Sequence, residues 1–275
     1  MSTAWGHREA QRATFHLLHD AAAGVRRWLG AHRAVRELVL VVTLYAGYTV
    51  SRTLADGHLA PALERAGRIV DVERSWHLAV EPWLNTLFVE HRVLGILGDY
   101  WYASAHYVVT VALIVWLFVR RPALYVHARR ALVAATVVAL AFYLTSPTAP
   151  PRMGFGFTDV MSLHATAGWW GADASAPRGL GGLTNELAAF PSMHAGWALW
   201  AALAVRTTLC HPLARAATFL YPLTTAVVVL GTGNHWTLDV LVGFLIMGAA
   251  WWVTGQARQP RQLPVPARPA SPAES

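Results

Sequence analysis

The stretch GTGNHWTLDVLVGFLIMGAAWWV, residues 231–253, carries His235 and Asp239 into a run that is otherwise apolar enough to enter a membrane. Ionisable groups are costly in lipid and usually face a cavity or a partner. Four residues apart on a helix, the two side chains share a face. The carboxylate can then accept the ring N–H, fix the tautomer and stabilise a positive imidazole, leaving the other ring nitrogen free to attack. The plainer reading is a local structural pair. Gly231 and Gly233 let the preceding backbone approach a ligand closely, and Thr232 or Asn234 is placed to cap the helix.

Read as a membrane span, this stretch sets the class of the whole chain. Of 275 residues 55% are hydrophobic and only 13% charged, against roughly 25% charged in a soluble domain. Six apolar segments follow, at 37–55, 96–119, 128–146, 193–209, 214–231 and 236–253. The expectation is an all-α polytopic membrane protein: a six-helix bundle with further helices lying on its outer face over 62–91. The expected domains are a cytoplasmic segment at 1–36, the membrane catalytic domain at 37–254 and a disordered Pro-rich cytoplasmic tail at 255–275. The 153–189 loop, rich in Gly, Ala and Ser, is expected to be a lid or disordered.

Charge orients the bundle. Residues 1–37 carry six Arg against three acids, the 120–130 loop carries four Arg and no acid, and the 206–215 loop two Arg. The alternate loops are acidic: 55–92 has four Arg against six acids, and 146–191 two Arg against three. Arg-rich loops stay cytoplasmic, so both termini are expected inside and the acidic loops outside. The localisation that follows is the cell membrane, with any active site extracytoplasmic. All 22 basic residues are Arg, and all but Arg52 lie in loops, at span ends or in the flanking segments, which is a topology signal and not a nucleic-acid footprint. The one Cys, Cys210, excludes an internal disulfide and a cysteine metal cluster.

Two more polar stretches reach span ends on that outer side. FPSMH (190–194) offers Ser192 as a helix N-cap and His194 in the first turn. Free N–H groups there attract phosphate, and His194 is placed to protonate a leaving oxygen. SPTAPPRMG (146–154) holds Arg152, a planar fork of donors for phosphate oxygens, behind a rigid proline run. Taken separately, these read equally as a capped helix with an interfacial histidine and a loop arginine. Together they make a phosphate site that needs no metal or cofactor.

PSMH (191–194) and HWTLD (235–239), in this order, resemble the P-S-x-H and H-x3-D motifs of the type-2 phosphatidic acid phosphatase superfamily of integral membrane enzymes. The resemblance spans about residues 37–254. It implies that His235 is the nucleophile forming a phosphohistidine, Asp239 its orienting partner and His194 the leaving-group acid. Arg152 with the backbone at Ser192 and Gly233 would hold the phosphoryl group. The phosphatase branch opens with K-x6-R-P and closes with S-R-x5-H, whereas here Thr145 and Met153 flank Arg152, and Val228 and Val229 precede His235. PTAPPR with TGNHWTLDVLVG looks more like the inositol phosphotransferase branch, which includes inositol phosphorylceramide synthase.

The expected activity is therefore metal-independent transfer of a phosphoryl head group from a membrane lipid, a phospholipid or polyprenyl (pyro)phosphate. The acceptor would be a polyol or lipid hydroxyl, or water in the phosphatase reading. Two other classes compete. His194, His235 and Asp239 could form a two-histidine, one-carboxylate metal site, or the chain could be a transporter. Polar clusters at one face and the lack of an inverted repeat oppose transport. Trp169, Trp170, Trp197 and Trp236 are expected to anchor spans at the interface, His106 to be buried in a packing role, and His164 to be a solvated loop histidine.

Overall fold

Proline and arginine punctuate the apolar runs, and helices form between them. The computed structural model describes residues 32–55, 59–170 and 185–256, and there the regular elements are helices, with an isolated parallel bridge joining Thr148 and Ala188. The helices are α1 (Arg33–Ala55), α2 (Leu59–Ser75), α3 (Glu81–Glu90), α4 (Arg92–Arg120), α5 (Pro122–Thr145), α6 (Val160–Leu163), α7 (Met193–Arg206), α8 (Pro212–Ala217), α9 (Leu220–Gly231) and α10 (Thr237–Gln256). Pro122 opens α5 directly after Arg121, which ends α4. Proline has no N–H to lose at that position and a backbone angle already set for a helix.

The chain divides into two units, residues 1–50 and 51–275. The first contains most of α1, whose Leu38, Val39, Val41, Val42 and Tyr45 are exposed. Most of the expected 1–36 segment, the 171–184 part of the outer loop and the tail beyond Gln256 lie outside the described residues.

Among the described residues four helical segments are long and apolar enough to cross a membrane: Arg92–Arg120, Pro122–Thr145, Pro212–Gly231 and Thr237–Gln256. They mark the chain as an integral membrane protein. Six were expected. The segment at 193–209 forms a helix of 14 residues, about 21 Å at 1.5 Å per residue, which is short of a ~30 Å hydrocarbon layer. The segment at 37–55 lies in α1, which is not among the four. Val108, Val111, Val115 and Val119 on α4, Leu220, Leu223 and Val227 on α9, and Leu241, Leu245 and Trp252 on α10 are exposed, an apolar exterior suited to lipid.

In the second unit α10 packs on α5 and α7, and α9 on α7 and α3. Small residues allow this. Ala128, Ala131 and Ala135 of α5 and Ala201 and Ala204 of α7 are buried with Leu117, Trp200 and Met247. The closest crossing is α10 on the start of α7: a Cβ at Gly243 would lie 2.2 Å from the Ser192 carbonyl oxygen. That crossing draws the two histidine motifs to the same end of the bundle. Helices were expected over 62–91, and α2 and α3 fill that segment. Both turn a face inward, where Ala62, Ala66, Glu73, Glu81, Leu84, Asn85 and Phe88 are buried.

Candidate active site

Main-chain hydrogen bonds tie the three polar stretches into one knot. Arg152 N–H donates to the Gly233 carbonyl at 3.0 Å, and Ser192 N–H to the Asp239 carbonyl at 2.9 Å. Thr148 N–H donates to the Leu187 carbonyl at 2.7 Å, and Ala189 N–H returns to the Thr148 carbonyl at 3.3 Å. Side chains close the knot: the Trp236 indole N–H reaches the Ala149 carbonyl at 2.9 Å, and the Tyr143 hydroxyl the Pro191 carbonyl at 2.8 Å. Residues separated by up to 90 positions thereby sit at one end of the bundle.

His235 is buried within it. Its Nδ1 lies 2.9 Å from the Ala189 carbonyl oxygen and 3.4 Å from Asp239 Oδ2. A carbonyl can only accept, so Nδ1 carries the proton and Nε2 keeps its lone pair. The tautomer expected from Asp239 is thus held by the Ala189 carbonyl. Asp239 Oδ2 accepts the Trp236 N–H at 2.8 Å and sits beside the imidazole. Burial, and after it the Arg152 charge, pushes the His235 imidazole down to about 4, against the pull of its Ala189 hydrogen bond.

His194 is in the first turn of α7, whose N-cap is Ser192 as expected: its Oγ accepts the Ala195 N–H at 3.3 Å. The His194 ring lies 5.5 Å from the His235 ring, centroid to centroid, stacks on Tyr102 at 4.5 Å and meets the edge of His106 at 4.2 Å. His194 is half-buried while His235 is almost wholly covered.

Arg152 supplies the positive charge. Its Nε is 3.3 Å from Asp159 Oδ2 and one terminal nitrogen is 3.6 Å from Glu186 Oε1. The other terminal nitrogen is buried and makes no hydrogen bond. A buried donor without an acceptor costs about 1–3 kcal/mol, and an anionic oxygen would relieve it. The two backbone N–H groups expected to bind phosphate are engaged within the chain: Ser192 N–H by Asp239, and Gly233 N–H by the Leu230 carbonyl at 3.1 Å. Gly233 has φ +75°, and a Cβ there would lie 3.0 Å from the Thr158 carbonyl oxygen and 3.6 Å from Arg152 Cβ. Its contribution is shape: the left-handed turn lets Arg152 pass close to the His235 loop.

Several expectations are corrected here. Thr232 and Asn234 do not cap α10. The Thr232 hydroxyl turns back to the Val228 carbonyl and takes a hydrogen bond from Asn234 Nδ2 at 3.0 Å. The α10 N–H groups go instead to carboxylates: Trp236 to Asp239, Thr237 to Glu81, and Leu238 to Glu73 at 2.7 Å. Burial, with Glu81 and Asp239 close by, pushes the Glu73 carboxyl up to about 8.

Trp170 and Trp236, expected at the interface, are buried, with indole N–H groups on the Met161 and Ala149 carbonyls. His164, expected in solvent, is buried with Nδ1 2.8 Å from Asp99 Oδ2. Burial and the Arg92 charge lower its pKa.

Sequence reasoning missed Glu73, Glu81 and Asn85. The Asn85 amide donates to the Thr158 and Gly231 carbonyls, both at 2.9 Å, and its oxygen accepts the Thr158 N–H at 2.9 Å. It braces the His235 loop against the strand of chain that carries Asp159. The available signal was three polar residues falling on the inner face of an otherwise apolar helical pattern. Among the described residues no group of three His, Cys, Asp or Glu is arranged to hold a metal ion.

Residues 67–253 match the PAP2 superfamily, more than half of the chain, and the protein belongs to that superfamily. No curated protein and no solved structure matches it. Membership makes it an enzyme of the lipid phosphatase and phosphotransferase kind, acting on lipid phosphates, in a superfamily whose phosphatases typically need no metal.

Proposed function

We propose that this PAP2 superfamily protein transfers a phosphoryl head group from a membrane phosphodiester to a hydroxyl acceptor, through a phosphohistidine on His235. The observation that carries the reading is the orphaned, buried guanidinium nitrogen of Arg152 beside an imidazole whose Nδ1 is tied to a carbonyl. The first is a vacancy suited to a phosphoryl oxygen, and the second leaves Nε2 as a nucleophile.

In the first step Nε2 of His235 attacks phosphorus, the bond to the leaving oxygen breaks, and His194 gives that oxygen a proton. Arg152 neutralises charge that grows on the phosphoryl oxygens, and Asp239 offsets the positive charge on the imidazole. In the second step His194 takes the proton of the acceptor hydroxyl, whose oxygen displaces His235 from phosphorus. Atoms and charge balance over the two steps, and His235 returns to its starting tautomer.

A phosphodiester fits better than a monoester because the site is lightly charged. Thr145 is exposed with its hydroxyl on the Ala141 carbonyl, and Val228 and Val229 are packed in the core. None of these positions offers a cation, and a singly charged diester asks for fewer than a dianionic monoester. This favours the inositol phosphotransferase-like branch over simple hydrolysis. The topology that goes with the reading counts α1 and the short α7 as the fifth and sixth spans, the second accommodated by local bilayer thinning; both termini are cytoplasmic and the site extracytoplasmic, from the alternation of Arg-rich and acidic loops.

The test is product analysis. Purified protein is incubated with radiolabelled phosphatidylinositol and with a polyprenyl phosphate, each with and without a polyol or lipid hydroxyl acceptor. A new labelled lipid or polyol phosphate that depends on the acceptor supports transfer. Free phosphate as the sole labelled product from the monoester, with the diester untouched, overturns it in favour of a phosphatase.

A further inference from the structure

His106 lies in α4, one turn after Tyr102, and the two present one face of that helix to α7. Tyr102 stacks on the His194 ring with an interplanar angle of 21°, and His106 meets the same ring at 68°. At 4.2 Å between centroids no water separates the two imidazoles. His235 lies on another side of His194, at 5.5 Å and 62°. His194 therefore sits between the nucleophile and a third histidine that belongs to neither sequence motif.

The His106 ring is almost fully buried, and its Nδ1 makes no hydrogen bond. Its polar neighbours are His194 and the Tyr102 backbone, and Tyr107 and Trp197 cover it further at 3.8 and 6.3 Å. A buried imidazole nitrogen without a partner is costly. Beside a residue that must gain and lose a proton in each cycle, it is a ready acceptor.

We propose that His106 is a positioning residue for His194: a turn of the His106 ring from its edge-on packing brings the unpartnered Nδ1 into reach of the His194 N–H that faces away from the substrate, which it then accepts. Tyr102 fixes the plane of the His194 ring and His106 fixes its tautomer. The nitrogen facing the phosphoryl group is then the one that gives up and regains the proton. When His194 is protonated, the shared hydrogen bond holds the imidazolium in an apolar wall that contains no carboxylate partner for it among the contacts above. The inference rests on the acid–base role given to His194.

The first measurement needs no substrate. Ring 15N shifts are recorded for histidine-labelled full-length protein in detergent micelles, with the His194 signals identified by their loss in His194→Ala. One tautomer is expected in the wild type, a mixture in His106→Phe, and one tautomer again in His106→Gln, whose carboxamide oxygen accepts the same N–H. An unchanged His194 tautomer in His106→Phe overturns the proposal.

The second measurement is kinetic, on bis(para-nitrophenyl) phosphate, whose phenolate leaves without a proton, and on short-chain phosphatidylinositol, whose alkoxide does not. His106→Phe is expected to lower kcat on the lipid about tenfold with KM and aryl turnover little changed, and His106→Gln to recover most of it. Equal loss on both substrates overturns the proposal. His194→Ala separates the two levels. If that variant also loses both activities equally, the acid role of His194 fails. If it spares the aryl ester while His106→Phe does not change the lipid rate, only the role of His106 fails.

Discussion

The polar knot at one end of the bundle and the apolar shaft beneath it are held by different physics. In the shaft, α5, α7 and α10 pack through Ala128, Ala131, Ala135, Ala201 and Ala204 around Leu117, Trp200 and Met247. Packing of this kind is non-directional and tolerates exchange of one apolar residue for another of similar volume. The knot is built from directional bonds: Arg152 to Gly233, Ser192 to Asp239, His235 to Ala189, and Glu73 and Glu81 to the start of α10. The shaft should therefore determine stability and the knot should determine rate, with Gly243 as the point where they meet.

Removing His235, the proposed nucleophile, gives the largest separation. His235→Ala should lower turnover by about 10⁴-fold or more while helical circular dichroism and the melting temperature stay near wild type. Trp200→Ala, deep in the shaft with its indole N–H on the Ala128 carbonyl at 2.7 Å, should do the reverse. It should cost about 3–5 kcal/mol of stability, with kcat per folded molecule held within a few-fold. If Trp200→Ala selectively destroys turnover, the two regions are not distinct.

Arg152→Ala comes next, with a loss of about 10²–10³-fold in kcat/KM. Arg152→Lys should recover part of the charge but not the planar fork. A full recovery would mean that charge alone matters and that the orphaned nitrogen has no geometric role. Gly243→Ala should affect both regions, since its Cβ would press on the Ser192 carbonyl. Overpacking of this sort costs about 1–3 kcal/mol, and the melting temperature and kcat should fall together.

The smallest effect is on pH. An ordinary histidine titrates near 6.5, but His235 is pushed down to about 4. Its Nε2 therefore stays unprotonated between those values, and phosphoenzyme formation from an aryl ester, whose leaving group takes no proton from His194, should hold its rate from pH 7 to about 5 in single-turnover experiments. The linked stability runs the other way. The unfolded chain binds the proton first as pH falls from about 6.5 towards 4, so stability declines across that window. A rate that falls with a midpoint near 6.5 would contradict the buried environment of His235.

The shaft was legible in the sequence because lipid demands long apolar runs, and the runs at 96–119, 128–146, 214–231 and 236–253 fall, to within a residue, inside segments long and apolar enough to span. The histidines and Arg152 were legible because ionisable residues at span ends stand out against that background, and the structure brings them together. The α2–α3 segment was read only for its charge and amphipathic spacing. Its acids entered as a topology signal, yet Glu73 and Glu81 fold inward onto α10, 156 or more residues away in sequence. No local pattern encodes such a pairing. The same holds for His164 and Asp99, which look like a loop histidine and a span-end acid until the fold places them 2.8 Å apart. The Ala189 carbonyl that holds the His235 tautomer belongs to the backbone, and every residue has one, so it could not be picked out.

In the proposed reaction residues far apart in the chain meet around one phosphorus atom, with His235 as the attacking group. Rapid acid-free quench of the protein with a 32P-labelled phosphodiester, followed by peptide mapping, tests this at the bond that would form. An acid-labile, base-stable phosphoryl group on His235 is expected, accumulating in His194→Ala with an aryl ester and absent from His235→Ala. Label on any other residue, or turnover in His235→Ala at the wild-type rate, would contradict that reaction.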